Sequence, residues 1–388
     1  MITSRQRVNT ALSHLQPDRT PVDFLATPEI WEQLVKHFSI EFFNHNDASF
    51  FDPTWERILD ILEVDCRVVS YDQFCVPPDK IRSAGSSIDW WGSFGRSTPG
   101  RMWRQVHNEG ILSDIWGRRF KTVANPTGHF EELAEFPLAK AQTISDLRTH
   151  PWPEPDWFDF SPIPDVLKSL DVETERHIRF RIGSVFEIAW QLRGMEQFMV
   201  DLATQPEIPL YIMDRLAEVY IENTKRVLEL GNGRFDMVYL YDDLASQNNL
   251  LLSVNMWRNT IRPRQARIIE AARQWKIPVM YHTDGAAYKI IPELMDMGVD
   301  VLNPVQPGVK GMEFDRLKSE FGDKLSFHGG IDIVKTLPTG SEEDVRNEVR
   351  ENIRTLGKDG GYIMASSHHI QAGTPLPNIM EMYELHLR

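Results

Sequence analysis

The chain has 388 residues, 41% of them hydrophobic and 25% charged, and a formal net charge of −14 at pH 7. Those totals describe a globular chain long enough for one large domain or two ordinary ones, and so acidic a surface repels nucleic acid. No run of 18 apolar residues marks a transmembrane helix and the N-terminus lacks the apolar core of a signal peptide, while Cys66 and Cys75 alone build neither a disulfide framework nor a site of three thiolates, so a cytoplasmic protein is expected.

A helix is expected from Ser4, where Val8, Leu12 and Leu15 recur at about one turn, ending before Pro17. Thr20-Pro21-Val22-Asp23-Phe24 reads as a first strand. Residues 28–64 read as helical with a break at Asp52-Pro53, and Cys66-Arg67-Val68-Val69-Ser70 as a short strand. Over 76–157 proline, glycine and tryptophan are frequent and no long period persists. This segment reads as an irregular insertion with short strand-like pieces at 101–104 and 118–121, covering something rather than folding as a second domain. Beyond it the chain turns regular. Strands are expected at 178–183, 235–240, 279–281, 299–302, 325–327 and 362–365. Helices are expected at 187–202, 209–230, 257–275, 288–297 and 341–356, with a last one near Pro377. Strands alternating with helices require parallel βαβ units, and the two early candidates bring the count to about eight. The expectation is an α/β chain forming one (β/α)8 barrel over 1–388. An open doubly wound sheet is the alternative, although no G-x-G-x-x-G follows a strand.

Ionisable and amide groups recur at the C-terminal ends of these strands: Asp242 and Asp243, His282 and Asp284, Asn303, His328, Asp332, and His368 with His369. In a (β/α)8 barrel those ends share one face, the face that carries active sites. His282 and Asp284 are two apart at the end of a strand, so they can aim at one spot. Such a pair can hold a metal ion or move a proton; a structural histidine–aspartate hydrogen bond is the plainer alternative. Tryptophans clustered from Trp90 to Trp116 read either as an aromatic lid holding an aromatic or cationic methylated substrate, or as the hydrophobic cluster that lets the insertion fold.

At these residues the chain resembles the uroporphyrinogen decarboxylase superfamily, which includes that decarboxylase and zinc-dependent methyltransferases serving corrinoid proteins or coenzyme M. The likeness runs through Thr3 to Val8, Pro17 to Asp23, Pro151-Trp152-Pro153, Arg193-Gly194, Asp242-Asp243-Leu244 and His282-Thr283-Asp284-Gly285. It continues through Gly298 to Gln306, Gly329-Gly330-Ile331-Asp332 and Gly361-Tyr362-Ile363. The resemblance implies the (β/α)8 barrel. Two departures bear on the branch. The stretch Pro21 to Thr27 carries none of the arginines with which true uroporphyrinogen decarboxylases grip their substrate, and few cations are expected near the strand ends. The methyltransferases hold zinc through His-x-Cys and a later Cys; here the matching positions are His282, Asp284 and His368.

The resemblance therefore implies a metal site of two imidazoles and one carboxylate. That set suits Zn²⁺ first, and also Fe²⁺, Mn²⁺ or Co²⁺. Asp243, Asp242 and His328 are the candidates for a catalytic base, an acid or a further ligand. Asn303, Trp116 and His369 are the candidates for substrate contact. The implied activity is methyl transfer from a small O- or N-methylated substrate to a corrinoid on a partner protein or to a thiol. Metal-assisted decarboxylation of a small carboxylated substrate and non-catalytic binding on the same fold are the alternatives.

Overall fold

Thr3 starts the first helix by accepting from the Gln6 N–H while the Gln6 side chain reaches back, a capping box that sets Ser4–Leu12. In this computed structural model the described residues are 2–41, 53–79, 88–91, 102–107, 110–125, 128–171 and 175–384. Helices Pro28–His37 and Pro53–Ile61 follow, and the expected break at Asp52 lies outside the described residues. Strand β1 is Cys66–Ser70.

The next stretch is more regular than its composition suggested. Strands β2 (Ile88–Trp91), β3 (Met102–Val106), β4 (Ile111–Ser113), β5 (Arg119–Asn125) and β6 (Gly128–Glu135) form an antiparallel meander, each paired with its neighbour in sequence. Antiparallel neighbours need no crossover, and between β4 and β5 the chain turns at Gly117, whose φ is 78°. Trp103, Ile115 and Trp116 of this region belong to the same hydrophobic core as the helices and strands that follow.

Those strands are β7 (His177–Gly183), β8 (Met237–Tyr241), β9 (Val279–His282), β10 (Val301–Val305), β11 (Ser326–Ile331) and β12 (Tyr362–Ser366). With β1 they make a parallel seven-stranded sheet ordered β1-β7-β8-β9-β10-β11-β12. The sheet curls strongly, since Arg179 of β7 lies 3.3 Å from His328 of β11, four strands away. β10 and β11 run further than expected: the register shifts between Leu302 and Val305, and pairing resumes past Pro304.

The expected strand at Thr20–Phe24 is not formed. Only single bridges occur, Val22 to Met364 and Ala26 to Ile370. The cause is local. Pro21 has no N–H, the Val22 N–H donates to the Asp65 carboxylate at 2.9 Å, and the Phe24 N–H donates to Asp23 at 2.9 Å. The segment is nonetheless tied on both sides, because Asp23 N–H donates to the Met364 carbonyl and Val22 accepts from the Asp65 N–H.

The helices pack outside the sheet. The longest, Glu207–Gly231, buries Ile208, Ile212, Leu216 and Tyr220 at one-turn spacing. The expected helix at 187–202 is two, Phe186–Arg193 and Met195–Thr204, separated at Gly194 by a φ of 91°. That at 257–275 also divides, into Val254–Thr260 and Arg262–Arg273.

Candidate metal centre

Strand parity builds the site. Tyr239 pairs with Met280, Tyr241 with His282, and Asn303 with His282. Residues two apart share a face, so Met237, Met280 and Val301 form an apolar layer inside the curl, and Tyr241, His282, Asn303 and His328 lie above it toward the strand ends. After β9 the chain turns sharply at Gly285, whose φ is 83° and where a Cβ would meet the Ser246 carbonyl oxygen at 2.4 Å. Glycine is needed there, and the turn returns Asp284 toward His282.

His282, Asp284 and His368 each offer a ligand atom, and these atoms all lie within 4.8 Å of one another. Asp284 sits between the imidazoles: its Oδ1 is 3.8 Å from His282 Nε2 and its Oδ2 is 3.7 Å from His368 Nε2. Gln306 braces the carboxylate, donating to Asp284 at 3.3 Å and accepting from the Gly285 N–H at 2.8 Å. Asp243 lies 3.4 Å from His282 Nε2 and accepts from the Asp284 N–H at 3.2 Å. Its side chain is 42% exposed, which makes it the open edge of the group.

The charges are coupled. Burial disfavours a charged His282, but the Asp243 and Asp284 carboxylates outweigh it and push the imidazole pKa up to about 9. Burial likewise raises Asp243, but His282 holds it below the ordinary carboxyl range. Burial pushes Asp284 up, and lowers His368. A proton held among two carboxylates and two imidazoles is one that a divalent cation would displace.

Both histidines are oriented by second partners. His282 Nδ1 donates to Asn303 Oδ1 at 2.6 Å, which leaves Nε2 as the ligand atom. His369 places Nδ1 3.1 Å from His368 Nδ1. For His368 to offer Nε2, its own Nδ1 carries the hydrogen and His369 accepts. Burial, then the His368 charge, lowers the His369 pKa well below the ordinary value, so a neutral acceptor is available. His369 therefore stands behind the candidate ligand.

The other expected site residues are dispersed. Asp242 turns the opposite way from Asp243 and is fully buried, accepting from the Ser184 hydroxyl, the Val185, Phe186 and Glu187 N–H groups and Gln265. It caps the helix Phe186–Arg193 and does not reach the ligand group. His328 is buried below Asn303, which donates to its Nδ1 at 2.5 Å, while its Nε2 meets Asp23 at 2.8 Å. Asn303 is thus a brace between two histidines. Trp116 is fully buried, its indole N–H on the Tyr71 hydroxyl at 3.0 Å and its ring against Tyr220. Asp332 ties its own loop, accepting from the Val334 and Lys335 N–H groups.

Sequence reasoning missed Glu187, in the first turn of Phe186–Arg193. Burial first, and the Asp243 charge second, push its carboxyl up to about 7. It begins a helix and so lay outside a search of strand ends; its position just after β7 was the available signal.

Residues 160–386 match the family model described as uroporphyrinogen decarboxylase (URO-D). The chain belongs to the URO-D family. The matched stretch holds β7 to β12 and all three candidate ligands, and leaves out the antiparallel meander. Among curated relatives, a methylated-thiol–coenzyme M methyltransferase of Methanosarcina mazei is 25% identical over 227 residues, spanning 56% of this URO-D chain and 56% of the relative. Among solved structures, a methyltransferase from Methanosarcina mazei superposes with a TM-score of 0.66 at 16% identity, covering 100% of this chain and 98% of that one, so the two share a fold. The donor set of this URO-D member, two imidazoles and a carboxylate, fits Zn²⁺, Fe²⁺, Mn²⁺ or Co²⁺.

Proposed function

We propose that the chain is a metal-dependent methyltransferase that takes a methyl group from a small O- or N-methylated compound and passes it to a corrinoid on a partner protein or to a thiol. The observation that carries the reading is the convergence of His282, Asp284 and His368 within 4.8 Å on the fold of a URO-D family member. The name of the 25%-identical relative supports methyl transfer.

His282, Asp284 and His368 would hold the metal. Bound there, without thiolates, it would supply Lewis acidity suited to an oxygen or nitrogen leaving group. Asn303 and His369 keep the two Nε2 atoms presented. Asp243, held ionised by His282, orients the substrate or accepts a hydrogen bond at the open edge. Glu187, with a carboxyl pushed up to about 7, is the group suited to give a proton to the departing heteroatom. The burial of Trp116 supports the structural reading of the tryptophan cluster over the lid. Among the described residues, no helix is long and apolar enough to cross a membrane.

The test is elemental analysis joined to turnover. Purified protein is expected to carry a stoichiometric divalent metal, lost on His368→Ala, and to consume a methylated substrate only when a corrinoid or thiol acceptor is supplied. Metal-free active protein would overturn the reading. Release of CO₂ from a carboxylated substrate with no acceptor would replace it with metal-assisted decarboxylation, which the family's name supports.

A further inference from the structure

The sequence promised few cations near the strand ends, yet β7 places two arginines on the inner face, Arg179 and Arg181. Their surroundings differ. Arg179 is engaged with the Asp23 carboxylate and lies against His328 and the Met280 sulfur. Among the described residues, Arg181 uses two of the five N–H donors of a guanidinium: Nε donates to the Ser70 hydroxyl at 3.1 Å and Nη2 touches Asp72 at 3.3 Å. Its guanidinium lies 5.3 Å from the centre of the Tyr241 ring, and Tyr241 is the strand partner of His282.

Arg193 and Arg118 are better filled. Arg193 meets the Asp201 carboxylate and the carbonyls of Leu138, Ala139 and Ala141. Arg118 binds Asp114 through Nε at 2.8 Å and Nη2 at 2.6 Å and reaches Gln191 with Nη1. Arg181 makes a single end-on contact with its carboxylate, and its side chain keeps 16% of its surface open. A half-buried guanidinium with open donors at the mouth of a site is ready to receive an anion, and a carboxylate matches its fork in two bonds. β7 and β9 are separated by one strand, about 10 Å at the usual spacing. A short molecule can therefore span from Arg181 to the ligand group, along the face of Tyr241.

We propose that Arg181 receives a carboxylate of the substrate, so that the methylated compound taken by this site is a small acid. The inference rests on the methyl-transfer reading of the same site and narrows its substrate class. Arg181 is a binding residue. Tyr241 lines the path between the carboxylate and the methylated heteroatom, and Asp72 sets the angle of the fork.

Matched probes test it: methoxyacetate against methoxyacetamide, and 3-methoxybenzoate against 3-methoxybenzamide, titrated by calorimetry into the full chain with its metal. The acid of at least one pair is expected to bind roughly tenfold or more tightly than its amide, the scale of one charge-assisted bidentate contact. Arg181→Gln is expected to erase that preference and leave the amide unchanged. Arg181→Lys, which keeps the charge without the fork, is expected to retain part of it and serves if the glutamine variant does not fold. Metal content and circular dichroism of each variant should match the parent. Equal binding of acid and amide, a preference that survives in Arg181→Gln, or no binding of any probe up to about 10 mM would overturn the proposal. An Arg181-dependent preference for the acid without methyl transfer to any acceptor would keep the subsite and remove the methyltransferase reading. Equal transfer from acid and amide would do the reverse.

Discussion

Asn303 decides which nitrogen His282 presents. Its oxygen accepts from His282 Nδ1, its nitrogen donates to His328 Nδ1, and His328 passes its own hydrogen to Asp23, which Arg179 holds. The order is self-consistent: each group donates to the next acceptor, and the result turns His282 Nε2 toward Asp243 and Asp284, where a cation would take the place of its proton. Asn303→Ala removes the brace and lets the ring turn or change tautomer. Zinc affinity, read by competition with a chromophoric chelator, is expected to fall roughly 10- to 100-fold, the usual cost of losing an outer partner of a metal histidine. Unchanged affinity would make Asn303 a substrate contact, the role expected for it from sequence. His282, Asp284 and His368 were legible because strand parity and matched family positions need no knowledge of register. The Asn303 brace was not, because it exists only once Asn303 is set beside His282 in the ladder. Parity also separates Asp243 from Asp242: neighbours on an extended chain point to opposite sides, and Asp242 went to cap a helix.

Among the elements, the antiparallel meander is tied to the parallel sheet through Trp116. The indole is fully buried, bonded to Tyr71 and edge-on to Tyr220, 5.4 Å between centroids. Tyr220 also closes on the end of β7, where a Cβ on Gly183 would come within 2.2 Å of its ring. Trp116→Ala therefore opens a cavity where the two sheets meet. It is expected to cost about 3–5 kcal/mol in urea unfolding, with zinc affinity unchanged. Weakened ligand binding at full stability would instead return Trp116 to the substrate site. The six later strands of the parallel sheet could be read from apolar runs between helical periods. The meander could not, because its strands are 3 to 8 residues long and pair with neighbours, leaving no long period to detect. The strand expected at Thr20–Phe24 failed for a finer reason, two N–H groups captured by carboxylates, which no hydrophobic pattern encodes.

At the scale of the whole molecule, the curled sheet encloses charge that a globular core normally excludes, and pH should reveal it. His177, the first residue of β7, is fully buried, and neither ring nitrogen has a hydrogen-bond partner among the described residues. Burial, then the Arg179 charge, lowers its pKa from the ordinary value to about 3. Unfolded, the same imidazole titrates near its usual ~6.5. Between pH 6.5 and 3 the unfolded chain therefore binds a proton that the folded chain refuses, so stability falls as pH falls through that window. Asp242 works against this slope, since burial pushes its carboxyl up to about 6 and the folded chain takes up a proton there first. Asp23, held low despite burial by Arg179 and His328, adds acid sensitivity only below the ordinary aspartate range. A difference measurement isolates the histidine. With urea unfolding followed at several pH values, His177→Leu is expected to flatten the curve between pH 6 and 4 by about 1.4 kcal/mol per pH unit relative to the parent, one proton's worth. At pH 7 the variant should lose little or nothing, because an imidazole buried without partners is itself unfavourable and leucine fills similar space. Parallel curves for the two proteins would mean that His177 is solvated or paired in solution and takes up its proton in the folded chain as well.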